Sequence, residues 1–268
     1  MAEYLIMTKF YNEQEQLPLL IDNIAQQTVK PMVFIFVDDG SIDNSEDVAI
    51  EAAKKQGLRY EIVQMGKKQK GNLDTLGRAW TKAQPLIKEL STQVSYVATA
   101  DVDTRFPRYY FERMIDYLER NPKIGVVAGQ VAGAPRRTFP MFTGKVVRSE
   151  VIQYIDKYWD ISIDSFLNVK ALKLGYDIRV LDEMKVKSPP SHLPSKRGRY
   201  RAGRLAYYAG VALSYVILKG ILQFDAQYLR GYWSEWIRGT WRSEDDDIQD
   251  YYGNLLEKRL LAFMREIF

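Results

Sequence analysis

No cysteine occurs among the 268 residues, so a disulfide framework and a thiolate metal site are both excluded. A chain without thiols suits a reducing compartment or a hot environment. Repeats are absent as well. No apolar leader precedes the first structured segment: Met1 to Met7 reads as one short strand with an acid near its start. This reads as a protein without a signal peptide, expected in the cytoplasm. Long apolar runs are scarce. The one from Leu205 to Phe224 reaches the roughly 20 residues of a membrane-crossing helix. Lys219 and Gln223 interrupt it, so an interfacial or docked helix is at least as well supported. Histidine occurs once, at His192, and the net charge of +4 is mild.

What is present is a globular composition, 46% hydrophobic and 27% charged. The length suits one large domain with an appendage. Apolar runs alternate with helical patterns. Tyr4–Met7 and Met32–Val37 read as strands, separated by a helix from about Gln16 to Gln27. A helix from Glu46 to Gln56 closes at Gly57 and leads to a strand at Tyr60–Gln64. A helix from Leu73 to Leu90 precedes the strand at Tyr96–Ala100. A helix follows from Pro107 to Asn121, then a strand at Ile124–Val131. Helical character resumes from Val146 to Tyr158 and again from Ser165 to Leu174, before a strand at Tyr176–Leu181. This alternation predicts an α/β fold with right-handed crossovers and a largely parallel sheet.

Two of these strands end in acids. Met32–Val37 runs into Asp38-Asp39-Gly40-Ser41, and Tyr96–Ala100 runs into Asp101-Val102-Asp103. Open α/β sheets place their ligands at the carboxyl ends of strands. Extended backbone would turn Asp101 and Asp103 to one side. A hard divalent cation held between carboxylates and a substrate's phosphates accounts for such a pair. The loop Gly66-Lys67-Lys68-Gln69-Lys70-Gly71-Asn72 is basic and opens a helix, an arrangement suited to anions. Lys70 and Gly71 are its candidate donor-binding residues. Asp38 reads as a structural cap, and Asp164 stands at or near a helix N-cap.

From Lys185 the composition changes. Lys185, Lys187, Lys196, Arg197, Arg199, Arg201 and Arg204 occur with no acid among them. The boundary is therefore drawn at 184, with residues 185–268 as a basic loop and C-terminal helices for possible membrane attachment. Glu244–Asp247 reads as a solvated acidic turn, and a short amphipathic helix is expected to end at Phe268.

With these pieces in place the chain resembles a family 2 glycosyltransferase of the GT-A fold. The resemblance rests on Phe10-Tyr11-Asn12-Glu13-Gln14-Glu15, Val37-Asp38-Asp39-Gly40-Ser41, Asp101-Val102-Asp103 and Ile163-Asp164-Ser165-Phe166-Leu167 with Gly175-Tyr176. It covers residues 4 to 182. It implies an enzyme that takes a sugar from a nucleoside diphosphate sugar with inversion at the anomeric carbon. By the same resemblance Tyr11, Asp39 and Glu13 form the base pocket, and Asp101 lies near ribose and sugar. Asp103 becomes the ligand of Mn2+ or Mg2+, and Asp164 the catalytic base. Ser191–Ser195 and Tyr200–Arg204 resemble the loop after the base, where His192 completes the metal site and Arg201 and Arg204 meet the diphosphate. Thr75 stands where Asn is common in the family, and Ile163 precedes the base where Glu is usual. The Gln-x-x-Arg-Trp signature of processive members is missing, so transfer of a single sugar is expected.

The expected partners are a nucleoside diphosphate sugar and a lipid-linked or glycan acceptor, with the protein peripheral on the cytoplasmic face of a membrane. Packing of a C-terminal helix back on the catalytic domain, or its use in a homodimer, is the alternative to membrane attachment. Nucleic acid is not among the expected partners; binding to it would be marked by steep salt dependence. A nucleotidyltransferase-like protein is the competing reading. Its first loop should be glycine-rich and basic, whereas Thr8 to Glu13 is neither. A basic module binding membrane or nucleic acid would explain the C-terminal part but not the acid-tipped strands.

Overall fold

The structure, a computed structural model, describes residues 3–66, 75–156, 163–189 and 195–257, with side chains from 77 and 165 in the middle two stretches. The chain divides into two compact units, Met1–Pro189 and Pro190–Phe268.

The first unit begins with β1 (Tyr4–Phe10), α1 (Leu17–Ala25), β2 (Val33–Asp38), α2 (Ser45–Lys55) and β3 (Tyr60–Gln64). It continues with α3 (Thr75–Ser91), β4 (Tyr96–Ala100), α4 (Tyr110–Arg120), β5 (Ile124–Val131), β6 (Val146–Arg148), α5 (Ser149–Tyr154), α6 (Ile163–Lys173) and β7 (Asp177–Val186). The strands form one sheet in the order β3-β2-β1-β4-β6-β5-β7. Pairing is parallel except around β6, which runs antiparallel to both neighbours. Every residue of β2 and β4 is buried, as expected for strands covered on both faces.

Helix faces complete the core. Tyr110, Phe111, Met114, Ile115 and Leu118 of α4 are buried at helical spacing, and the Phe111 ring stacks on Tyr4 at 5.4 Å. In α1 the polar Asn23 lies beside this apolar face because it binds backbone. Its side chain donates to Phe106 O at 3.0 Å and accepts from Phe106 N at 2.8 Å. This fixes the segment that follows the Asp101–Asp103 acids.

Two sequence expectations give way here. Val146–Arg148 was expected as the start of a helix, yet it is strand β6, inserted between β4 and β5. Three residues carry too little periodicity to separate from the helix that follows. Strand β7 runs past Leu181 to Val186, and Lys187 pairs with Arg105 through backbone bonds of 2.8 and 3.0 Å. Lys185 thus belongs to a half-exposed strand whose polar residues alternate outward, and the unit ends at Pro189.

The second unit is helical: α7 (Lys196–Tyr208), α8 (Leu213–Leu222), α9 (Ala226–Arg238) and α10 (Asp246–Gly253). The apolar run from Leu205 to Phe224 is not one helix. It breaks after Ala209 at Gly210, whose φ of 78° is left-handed. The ten residues of α8 span about 15 Å, half of a bilayer's hydrocarbon core. Among the described residues no helix is long and apolar enough to cross a membrane. Helices α7 and α9 meet backbone to backbone. A methyl at Gly203 would lie 2.0 Å from Tyr228 O, and one at Gly231 would lie 2.0 Å from Tyr200 O. The acids at Glu244–Asp247 do more than line a turn. Asp245 caps α10 by accepting from Ile248 N at 3.1 Å, and Asp246 and Asp247 sit in its first turn. The helix expected to end at Phe268 lies outside the described residues.

Candidate active site

Register places the carboxyl ends of three strands side by side. Phe10 of β1 pairs with Asp38 of β2, and Thr8 with Ala100 of β4. The loops leaving β1 and β2 are then sewn together. Asn12 adopts a left-handed φ of 54°, accessible to Asn at modest cost. Its N–H donates to Ser41 Oγ at 3.0 Å, and its Oδ1 accepts from Ile42 N at 2.9 Å. Glu13 N donates to Ser45 Oγ at 2.7 Å. Asp38 closes its own turn by accepting from Ser41 N and Oγ at 2.8 and 2.7 Å. Asp39 is buried at 5% exposure. Its N–H donates to Phe10 O at 2.8 Å, and its carboxylate pairs with Lys9 Nζ at 3.3 Å. The loops that carry Tyr11, Glu13 and Asp39 therefore meet at one corner. Lys9 was not singled out from sequence, although a lysine in a buried strand is the signal that marks it.

The β4 acids sit on a turn rather than on extended strand. Strand β4 ends at Ala100, and Thr104 N donates to Asp101 O at 3.1 Å. Val102 is buried, while Asp101 is half-buried and Asp103 exposed. Thr143 braces this turn: its Oγ1 accepts from Asp101 N at 3.3 Å and bonds Thr104 Oγ1 at 2.7 Å. Arg105 donates to Val102 O, Thr104 O and Gln16 Oε1, each at 2.8 Å. It ties the acid turn to the segment entering α1.

Electrostatics joins the two corners. Glu13 holds its proton above the ordinary carboxylate range, first because it is partly desolvated, then because of the charges on Asp103 and Asp43. The β1 and β4 loops thus direct like charges at one space. Among the described residues no group of three or more ligand side chains has metal-binding geometry. Mg2+ and cations like it are commonly held by one or two carboxylates with substrate phosphates supplying the rest, and the exposed Asp103 beside Glu13 fits that pattern.

Asp164 falls in the first turn of α6, and its side chain lies outside what is described, as do Lys70, Gly71 and His192. Arg201 and Arg204 are on α7 in the second unit. Arg201 is exposed, whereas Arg204 Nε pairs with the buried Glu235 on α9 at 2.5 Å.

Residues 5–166 match the family model described as Glycosyl transferase family 2. The chain belongs to this family. It shares the GT-A fold with solved glycosyltransferases. A mannosyltransferase from Pyrobaculum calidifontis, determined with GDP-Man and Mn2+, superposes with a TM-score of 0.58 at 16% identity. That match covers 76% of this chain and 61% of the other. Residues 1–349 of TarS from S. aureus, with UDP-GlcNAc, give 0.57 at 18% identity over 87% and 73%. Glucosyl-3-phosphoglycerate synthase from Mycobacterium tuberculosis, with Mn2+, UDP and phosphoglyceric acid, gives 0.52 at 15% over 72% of each chain. Among curated proteins, an undecaprenyl-phosphate 4-deoxy-4-formamido-L-arabinose transferase from Serratia proteamaculans is 42% identical over 55 residues. Those residues make up 19% of this chain and 17% of the relative.

Proposed function

We propose that this glycosyltransferase moves a single sugar, with inversion, from a nucleoside diphosphate sugar to a hydroxyl or phosphate of a lipid-linked acceptor. The observation that supports the donor side is that the loops bearing Tyr11, Glu13 and Asp39 leave strand ends adjacent to the Asp101–Thr104 turn, with the charge of Asp103 felt at Glu13. In this reading Tyr11, Glu13 and Asp39 hold the base, and Asp101 meets ribose and sugar. Asp103 holds Mn2+ or Mg2+ with His192. Lys70 and Gly71 of the basic loop and, by the resemblance, Arg201 meet the diphosphate, whereas Arg204 is held by Glu235. A bound divalent cation supplies positive charge where the leaving diphosphate gains negative charge. Asp164 takes the acceptor's proton.

The acceptor side is supported by the second unit. Helix α7 carries Lys196, Arg197, Arg199, Arg201 and Arg204 and no acid. Helix α8 leaves Ile217, Leu218, Ile221 and Leu222 exposed, and Phe224 beyond it is 93% exposed. A basic helix beside an uncovered apolar one matches the interface of an anionic membrane. The name of the curated relative, an undecaprenyl-phosphate sugar transferase, agrees with such an acceptor. We accordingly assign residues 1–189 to catalysis and 190–268 to peripheral attachment at the cytoplasmic face.

A melting screen with UDP-, GDP- and dTDP-sugars, with and without Mn2+, tests the donor side. One base should raise Tm with Mn2+, since a ligand at 100 times its Kd stabilises by about 2.7 kcal/mol. Asp103→Asn should abolish the Mn2+-dependent part. Asp164→Asn should keep the shift and lower turnover by at least about 10²-fold. No shift with any nucleotide refutes the reading.

A further inference from the structure

Lys145 is completely buried, at 0% exposure. A buried ammonium costs several kcal/mol unless it is well bonded, and an apolar residue would fill the same space without that cost. Its Nζ donates to Asn168 Oδ1 at 2.9 Å. Asn168 is buried too, and its Nδ2 donates to Pro140 O at 2.8 Å.

The backbone around Lys145 serves a second purpose. Thr99 N donates to Lys145 O at 2.9 Å, and Gly144 N donates to Thr99 O at 2.9 Å. One residue earlier still, Thr143 holds Asp101 N and Thr104 Oγ1. The short segment 143–145 therefore grips the acid turn through Thr143 and helix α6 through Lys145. Asn168 follows Asp164 by four residues on α6, about one helical turn.

We propose that Lys145 is a positioning residue for the catalytic base. Its bond to Asn168 fixes the turn of α6 that carries Asp164 at a set distance from the Asp101–Thr104 turn. Proton removal from the acceptor is thereby held in register with the donor. The proposal rests on the reading of Asp164 as the base. Reacting groups displaced by about 1 Å lose on the order of 10²-fold in rate, so the effect belongs in turnover and not in nucleotide affinity.

The test uses the full chain with Lys145→Met and Asn168→Ala, singly and together. UDP and GDP affinity with Mn2+ is measured by calorimetry, and turnover of UDP-GlcNAc and GDP-Man by released nucleotide. Each single change should lower turnover about 10- to 100-fold and leave nucleotide affinity within about threefold of wild type. The double change should be no worse than the worse single one, because residues acting as a unit are not additive. Asn168→Ala keeps the lysine in place and carries the test if Lys145→Met does not fold. Unchanged turnover, parallel loss of turnover and nucleotide affinity, or additive losses overturn the proposal. Asp164→Asn runs alongside. If it is inactive while Lys145→Met is fully active, only the role of Lys145 falls; if it keeps wild-type turnover, the assignment of the base falls with it.

Discussion

Tyr110→Phe removes a single oxygen and tests how the site's frame is held. The Tyr110 side chain is fully buried on α4. Its hydroxyl accepts from Gly129 N on β5 at 2.8 Å and donates to Gly144 O, just before β6, at 2.8 Å. One oxygen thus satisfies a donor and an acceptor from two different chain segments. Gly144 is required for this approach. Its φ is 69°, and a methyl there would lie 2.5 Å from the Tyr110 hydroxyl. Removing the hydroxyl leaves two buried backbone groups unpaired, at about 1–3 kcal/mol each. The phenol's own desolvation cost disappears, so the net loss is about 2–4 kcal/mol. For a unit of this size 1 kcal/mol corresponds to about 2–4 °C, so Tm should fall by roughly 4–16 °C. Calorimetry or urea unfolding reads the difference, with Tyr109→Phe, on the exposed neighbour, as a control expected within about 0.5 kcal/mol of wild type. Burial pushes the Tyr110 phenol far up. It stays protonated in both folded and unfolded chains below the ordinary tyrosine range, so the loss should be independent of pH there. A cost under about 0.5 kcal/mol would show that water or relaxation satisfies both groups, and the bridging role would be refuted.

Glu13→Gln should raise the Tm of the cation-free protein at neutral pH. The folded-state pKa of Glu13 is raised, so folded and unfolded chains are alike while both are protonated, and the folded chain loses stability as pH climbs through the raised value. The gain from Gln should therefore vanish as pH falls below the ordinary carboxylate range, and a Tm-against-pH series checks this. For the same reason stabilisation by Mn2+ should grow with pH in wild type and grow less steeply in Glu13→Gln. Gly231→Leu should unfold the second unit selectively, since its side chain meets Tyr200 O; proteolysis should cut after residue 189 while the first unit stays intact. Leu222→Asp with Phe224→Asp should weaken pelleting with anionic liposomes at least about tenfold without lowering Tm, because both positions are exposed. Undiminished pelleting would instead leave α8 as a face for a second copy, to be read by sedimentation.

The sequence alone determined the alternation of strands and helices, the acids at the ends of β2 and β4, and the likeness to family 2 glycosyltransferases. These signals are local. Strands covered on both faces must be apolar throughout, and a charge at a strand's end shows as an abrupt break. What only the tertiary structure decided depends on partners far apart in the chain. Strand β6 exists because β4 and β5 lie on either side of it. Asp101 and Asp103 share a turn because Thr143 and Arg105 hold it. The apolar run after Leu205 splits at Gly210, where the chain turns between α7 and α8. Arg204, read from sequence as a phosphate contact, meets Glu235 on a helix thirty-one residues away. Lys145 shows the limit most clearly. In sequence it is one lysine before two valines, and only the fold buries it and brings Asn168 to its ammonium. Periodicity is written along the chain, but the partner of a buried charge is chosen by packing.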